Sequence, residues 1–172
     1  IKLPAVGAVT IAIDVSHAMP DVAYDLTNGP YPLIIMSPDF AMGASNYGWL
    51  AEHLASYGFV VLAPEHDEQM NPESGLWQGV VKRPQEIQAI FAYVDTQAQP
   101  DGTLAELVDP ETVAVMGHSY GGYTALAVAG ARLDSAGFAT HCEVAAREEH
   151  PTAWLCDMLL PYLPEMAAQA GL

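Results

Sequence analysis

Basic residues are scarce in this chain: five Lys and Arg stand against 21 Asp and Glu, a formal net charge of −16 at pH 7. Such an imbalance argues against nucleic acid and against anionic membrane surfaces as partners, since both would repel it. Long apolar runs are missing as well. None reaches the roughly 18 residues that a spanning helix needs, so no membrane span is expected. Cysteine is limited to Cys142 and Cys156, whose spacing fits neither a zinc motif nor a redox motif. The pair reads as one disulfide, which would place the chain in an oxidising compartment, secreted or periplasmic; two buried free thiols are the alternative. No internal repeat and no low-complexity linker divides the chain. An initiator Met is absent, and no basic segment followed by an apolar one opens the sequence. Ile1 is therefore expected to be a start that is cleaved, trimmed or simply preceded by further chain, and not the head of a signal peptide.

Apolar residues are abundant. They make up 51% of 172 residues, enough for one globular domain, 1–172, with a real core. The acidic residues are scattered and read as a solvated surface that would disfavour anionic substrates at long range.

Short apolar runs alternate with helical patterns. Val9–Val15 alternates weakly and reads as a strand. Leu33–Met36 reads as a buried strand. Ser45–Tyr57 has helical spacing, with Tyr47, Leu50, Leu54 and Tyr57 on one stripe; Ser45 is placed to cap it and Gly58 to end it in the left-handed conformation. Phe59–Ala63 is a second buried strand, and Glu65–Ser74 a polar loop. Pro84 suits the first turn of a helix carrying Ile87, Ile90, Phe91 and Val94 on its apolar face. Asp109-Pro110-Glu111 is a turn, Val113–Met116 a third buried strand, and Tyr120–Ala131 a small-residue helix. Strands and helices in alternation imply an α/β fold with a doubly wound, mostly parallel sheet and right-handed crossovers. Beyond Leu133 the strand signal stops, and residues 140–170 read as helical or irregular.

Gly117-His118-Ser119-Tyr120-Gly121 matches G-x-S-x-G. The pattern alone is common; a buried strand leading in and a small-residue helix leading out make it specific. A sharp strand-to-helix turn would force Ser119 into a strained backbone conformation and expose its hydroxyl as a nucleophile. The helix N-terminus would turn N–H groups toward developing negative charge. His118, inside the elbow, is expected to point into the fold. An oxyanion hole needs two donors. The backbone N–H of Tyr120 is one, and the loop after the first clear strand, Ser37-Pro38-Asp39-Phe40, supplies the N–H of Phe40 as the other. Asp39 is unexpected there, because a carboxylate beside an oxyanion is unfavourable unless it points away.

The segments Tyr31-Pro32-Leu33-Ile34-Ile35-Met36-Ser37-Pro38-Asp39-Phe40, Trp49-Leu50-Ala51, Leu54–Val61, Leu76-Trp77-Gln78-Gly79, Arg83-Pro84 and Gly117–Tyr123 carry a resemblance over roughly residues 30–160. The chain resembles the dienelactone-hydrolase-like branch of the α/β-hydrolases, which is similar to bacterial cutinases and polyester hydrolases and to platelet-activating-factor acetylhydrolases. The resemblance implies a carboxylic-ester hydrolase acting through an acyl-enzyme on Ser119, with Phe40 and Tyr120 as oxyanion donors and a small-molecule or polymeric ester as substrate. Asp39 departs from it, since relatives usually carry glycine there. In such enzymes the acid and the histidine follow the serine in that order. Residues 120–172 hold His141 and His150 but no later strand ending in Asp with a histidine after it. The C-terminal strands of the fold, with acid and base, are thus expected from a missing portion or a second chain. Residues 135–170 form a possible cap segment held by the Cys142–Cys156 bridge, with Met158, Leu159 and Leu160 toward substrate.

No cofactor and no metal are expected. Glu65-His66-Asp67-Glu68 has ligand-type side chains, but four neighbours on one loop rarely converge on an ion. His66, just beyond a strand end, is a minor candidate for an upstream base. Trp49, Trp77 and Trp154 could line an acyl pocket, although core packing is the plainer role for each. The rival to the enzyme is a catalytically incomplete hydrolase-like domain that binds an apolar ligand or a partner chain.

Overall fold

The computed structural model describes residues 2–3, 7–8, 17–66, 68 and 72–170. Strands β1 (Lys2–Leu3) and β2 (Gly7–Ala8) pair antiparallel. The strand read at Val9–Val15 lies outside the described residues. Then β3 (Tyr31–Ser37), α1 (Gly48–Ser56), β4 (Val60–Leu62), α2 (Pro72–Gln97), β5 (Val108–Gly117) and α3 (Tyr120–Val128) alternate along the chain. Three helices follow: α4 (Ser135–Arg147), α5 (Ala153–Leu159) and α6 (Leu163–Ala170).

The second sheet has the order β4-β3-β5, and both pairings are parallel, as the unalternating apolar runs imply. β3 is the central strand, and Leu33 through Ser37 are buried. Leu33 and Ile35 pack with Ile87 and Val94 of α2 and with Leu104, Leu107 and Val108 in the main core. The predicted apolar face of α2 therefore lies on the sheet, as its spacing requires. Among the described residues no helix is long and apolar enough to cross a membrane.

Several local expectations change. The helix read from Ser45 begins as a 3₁₀ turn, Ala44–Tyr47, before α1, and Ser45 caps neither. Tyr57 leaves the buried stripe because it is the residue after α1; it is 73% exposed, with its ring near that of His53. Gly58 does take the left-handed conformation, with φ 84°. Pro84 lies inside α2, whose start is Pro72, not in the first turn. A mid-helix proline lacks an N–H and leaves the carbonyl four residues earlier without its helical partner. That carbonyl belongs to Val80, and the Tyr123 hydroxyl of α3 donates to it at 2.9 Å. A contact distant in sequence thus satisfies the helix through its proline.

Asp109-Pro110-Glu111 is not a turn between elements but an irregularity within β5. The register passes from Pro32↔Asp109 to Leu33↔Val113, so Pro110–Thr112 leave the ladder. Proline cannot donate to a ladder and is tolerated at such a bulge. Asp109 Oδ1 accepts from Glu111 N–H at 3.0 Å and Oδ2 from the Thr112 hydroxyl at 2.6 Å, closing the loop locally.

Candidate active site

β5 ends at Gly117 and α3 begins at Tyr120, leaving two residues for the reversal. Ser119 takes φ 54° and ψ −114°, a conformation that side chains rarely adopt. The elbow closes because two glycines let backbones approach. A Cβ on Gly117 would stand 2.0 Å from Gly121 O, and one on Gly121 would stand 1.9 Å from Ser37 O. Ser119 is exposed at the C-terminal edge of the sheet, where its motif placed it.

Phe40 and Tyr120, the two N–H groups read as donors, converge. Both point at one atom, Asp39 Oδ1, from 2.7 Å for Phe40 and 3.2 Å for Tyr120. The Ser119 hydroxyl lies close enough to this carboxylate to favour its charged form. Asp39 does not point away, contrary to the condition that chemistry set for it. Burial works against its charge, but the Ser119 hydroxyl, the bonds from Phe40 and Tyr120 and the neighbouring His118 outweigh that and hold the carboxyl below the usual range.

Side chains for which the sequence suggested no role at this loop hold it in place. Arg83, 1% exposed, donates from Nη1 to Pro38 O at 2.7 Å and from Nη2 to Asp39 O at 3.0 Å. Its guanidinium lies 4.5 Å over the Tyr120 ring. Glu68 pairs with Arg83 and accepts from Ala41 N–H at 2.8 Å, while Glu65 accepts from Ala44 N–H at 2.9 Å. Tyr47 accepts from Asp39 N–H at 3.1 Å and bonds to His118 Nδ1 at 3.0 Å. His118 is exposed and does not point into the fold; the tight turn carries its ring outward against Tyr47. Burial raises the pKa of the Tyr120 phenol, which donates to Leu76 O in α2, and of the Tyr123 phenol.

His66 is not presented to Ser119. Its ring, 2% exposed, places Nε2 2.8 Å from Ser37 Oγ and Nδ1 2.5 Å from Glu86 Oε2. Glu65, His66 and Glu68 thus serve three different partners, and Asp67 lies outside the described residues. No group of three metal-ligating side chains occurs among the described residues.

Ser119, Asp39, Phe40 and Tyr120 open into a cleft of about 640 Å³. Its far wall is apolar, built by Phe138, Trp154, Met158, Leu159, Leu163 and Met166. Trp154 thus lines the cleft. Trp77 is core, stacked on Tyr162 with ring centroids 5.1 Å apart, and Trp49 is 65% exposed away from the cleft. Met158 and Leu159 face it, whereas Leu160 is exposed and lies outside its lining. Cys142 of α4 and Cys156 of α5 are bonded, with Cα atoms 5.5 Å apart, and pack with Phe138 and Ala145.

Residues 11–144 match the family model described as Chlorophyllase. "Cutinase est1" of Thermobifida alba is 32% identical over 114 residues, which are 66% of this chain and 35% of that protein. "Chlorophyllase-1, chloroplastic" of Citrus unshiu is 33% identical over 112 residues, 58% of this chain and 32% of that one. A ferulic acid esterase from Streptomyces cinnamoneus is 28% identical in sequence and superposes with a TM-score of 0.47, covering 59% of this chain and 33% of that structure. The chain spans about a third of the length of these relatives. The matched residues take in the parallel sheet, the elbow at Ser119 and the loop at Asp39 and Phe40, and the chain belongs to the chlorophyllase family of α/β-hydrolases, with bacterial cutinases among its relatives.

Proposed function

We propose that this chain carries the nucleophile portion of a carboxylic-ester hydrolase, in which Ser119 attacks the ester carbonyl and forms an acyl-enzyme that water later releases. One observation carries this: a strained, exposed serine shares a point in space with two backbone N–H groups, Phe40 and Tyr120, at the mouth of an apolar cleft. Donors at such distances stabilise the oxyanion of a tetrahedral intermediate. The cutinase and chlorophyllase names of the relatives fit the reading, as does a cleft wall suited to an apolar ester, small or polymeric. Residues 135–170 act as a cap over the cleft within a single domain, and the buried Cys142–Cys156 bond fits a secreted or periplasmic protein.

A serine hydroxyl is a weak nucleophile until a base takes its proton. Among the described residues no histidine bonds to Ser119. We assign acid and base to a further C-terminal portion or a second chain. A labelled fluorophosphonate and a chromogenic butyrate ester test the assignment. Labelling at Ser119 and turnover, both abolished by Ser119→Ala, are expected of the completed protein. Turnover that survives Ser119→Ala would refute it. A binding module is the rival reading, favoured by the carboxylate seated at the donor pair; an apolar ligand held in the cleft without turnover or labelling would establish that reading instead.

A further inference from the structure

We propose that Asp39 is a tethered gate on the oxyanion site: its carboxylate fills the paired N–H groups of Phe40 and Tyr120 and must swing out before any ester carbonyl can enter. This rests on the assignment of those two donors in the proposed function.

The geometry allows one occupant at a time. Asp39 Oδ1 takes both N–H groups, at 2.7 and 3.2 Å, beside the Ser119 hydroxyl. Those are the distances at which the oxyanion of a tetrahedral intermediate would sit. A carboxylate is also a stronger acceptor than the neutral carbonyl of an ester, because its charge shortens and strengthens the bonds it receives. Tethering adds to this. The Asp39 backbone is pinned at both ends, its N–H by the Tyr47 hydroxyl at 3.1 Å and its carbonyl by Arg83 Nη2 at 3.0 Å. The side chain is thus presented to the cradle at the high effective concentration of a fixed intramolecular group.

The pinned backbone also makes release possible. Among the described residues the Asp39 carboxylate hydrogen-bonds only to the two cradle N–H groups, beside the exposed Ser119. Rotation of the side chain would carry it to the half-open mouth while Tyr47 and Arg83 keep the loop in place. The cradle is therefore a carboxylate-binding site that the chain occupies itself. In the native protein a small free carboxylate should find it filled, and an ester should react slowly.

Removing the side chain leaves the backbone contacts intact, which makes the gate testable. The probes are sodium acetate, read by the amide signals of Phe40 and Tyr120 in ¹⁵N-labelled protein, and a fluorophosphonate, read as labelling rate at Ser119. In the native protein acetate is expected to leave both amides in place. In Asp39→Ala it should shift both, accelerate labelling about tenfold or more, and make labelling sensitive to acetate. Asp39→Asn, isosteric and uncharged, should fall between the two. Native amides that respond to acetate as those of Asp39→Ala do would overturn the gate, as would equal labelling rates in the three proteins. If Ser119 of the completed protein labels in none of them, the hydrolase reading fails, and the amide shifts alone decide the gate.

Discussion

Arg83 holds Glu68 through two hydrogen bonds, Nε to Oε1 at 2.5 Å and Nη2 to Oε2 at 2.8 Å, with both side chains almost wholly out of water. The same guanidinium reaches the carbonyls of Pro38 and Asp39, so one buried cation joins α2, the Glu68 segment and the loop that carries Phe40. Breaking such a pair by removing one partner strands the other charge, at about 3–5 kcal/mol. Arg83→Met should lose stability on that scale in urea unfolding. Arg83→Lys should restore little, because an ammonium cannot span the carboxylate and two carbonyls at once. Native-like unfolding midpoints in both variants would show that the pair holds nothing.

Gly121→Ala should be among the most disruptive small changes in the chain. Its Cβ would meet backbone atoms of Ser37 and Pro38, not the end of a flexible side chain. Overpacking typically costs about 1–3 kcal/mol, and a clash with backbone, which would pry β3 from the elbow, should reach the upper end of that range. The same change at Gly122, where the nearest atom is 3.6 Å away, should be mild. Thermal unfolding of the two variants side by side makes the comparison, and equal losses would count against the close approach.

His66→Ala should lower stability without touching Ser119. The ring is buried between Ser37 Oγ and Glu86, and its loss leaves a buried hydroxyl without that partner, at about 1–3 kcal/mol. Fluorophosphonate labelling of the folded variant should stay at the native rate. A folded His66→Ala protein that no longer labels would reinstate His66 as the base.

Reduction of the Cys142–Cys156 bond should cost about 3 kcal/mol, since the bond joins α4 to α5 across a sequence separation of 14. The loss should fall on α4 and α5, which help to wall the cleft. Hydrogen exchange with and without reductant would map it there, and uniform loss of protection across β3 and β5 would contradict it.

Acid should act through Asp39. Its folded-state pKa lies below the ordinary carboxylate value of about 3.9, so its contribution to stability is present above that pH and is lost as pH falls through the lower folded value. The gap in unfolding free energy between the native protein and Asp39→Asn should therefore be full at pH 7 and close below about pH 4. A gap that does not narrow in acid would remove Asp39 from the acid limb.

The legible parts of this fold were those that local chemistry dictates. Leu33–Met36, Phe59–Ala63 and Val113–Met116 are apolar without alternation, and the parallel pairing they imply is present; burial is complete only for Leu33–Met36 of the central strand, while β4 is half-buried and Ala114 of β5 is exposed. Gly117, Ser119 and Gly121 were equally plain, because a strand-to-helix reversal on two residues admits few residue types. Errors fell where a distant group changed a local rule. Pro84 reads as a helix start until the Tyr123 hydroxyl is seen to satisfy Val80 O. Asp109-Pro110-Glu111 reads as a turn until β3 is seen to pair on either side of it.

The sequence by itself determined that a strand, a sharp turn and a helix would present Ser119 with the Tyr120 N–H beside it, because spacing and glycine placement act over a few residues; Phe40, far away in the chain, reaches the same point only because β3 pairs with β5. Only the tertiary structure decided what surrounds that serine. Arg83, Glu68 and Tyr47 approach the loop from separate segments, His66 turns to Ser37, and the carboxylate of Asp39 settles on the two N–H groups. The physical reason is that hydrogen bonds and ion pairs are chosen by distance in space, and one chain offers many partners of the same chemistry until folding brings a few within 3 Å.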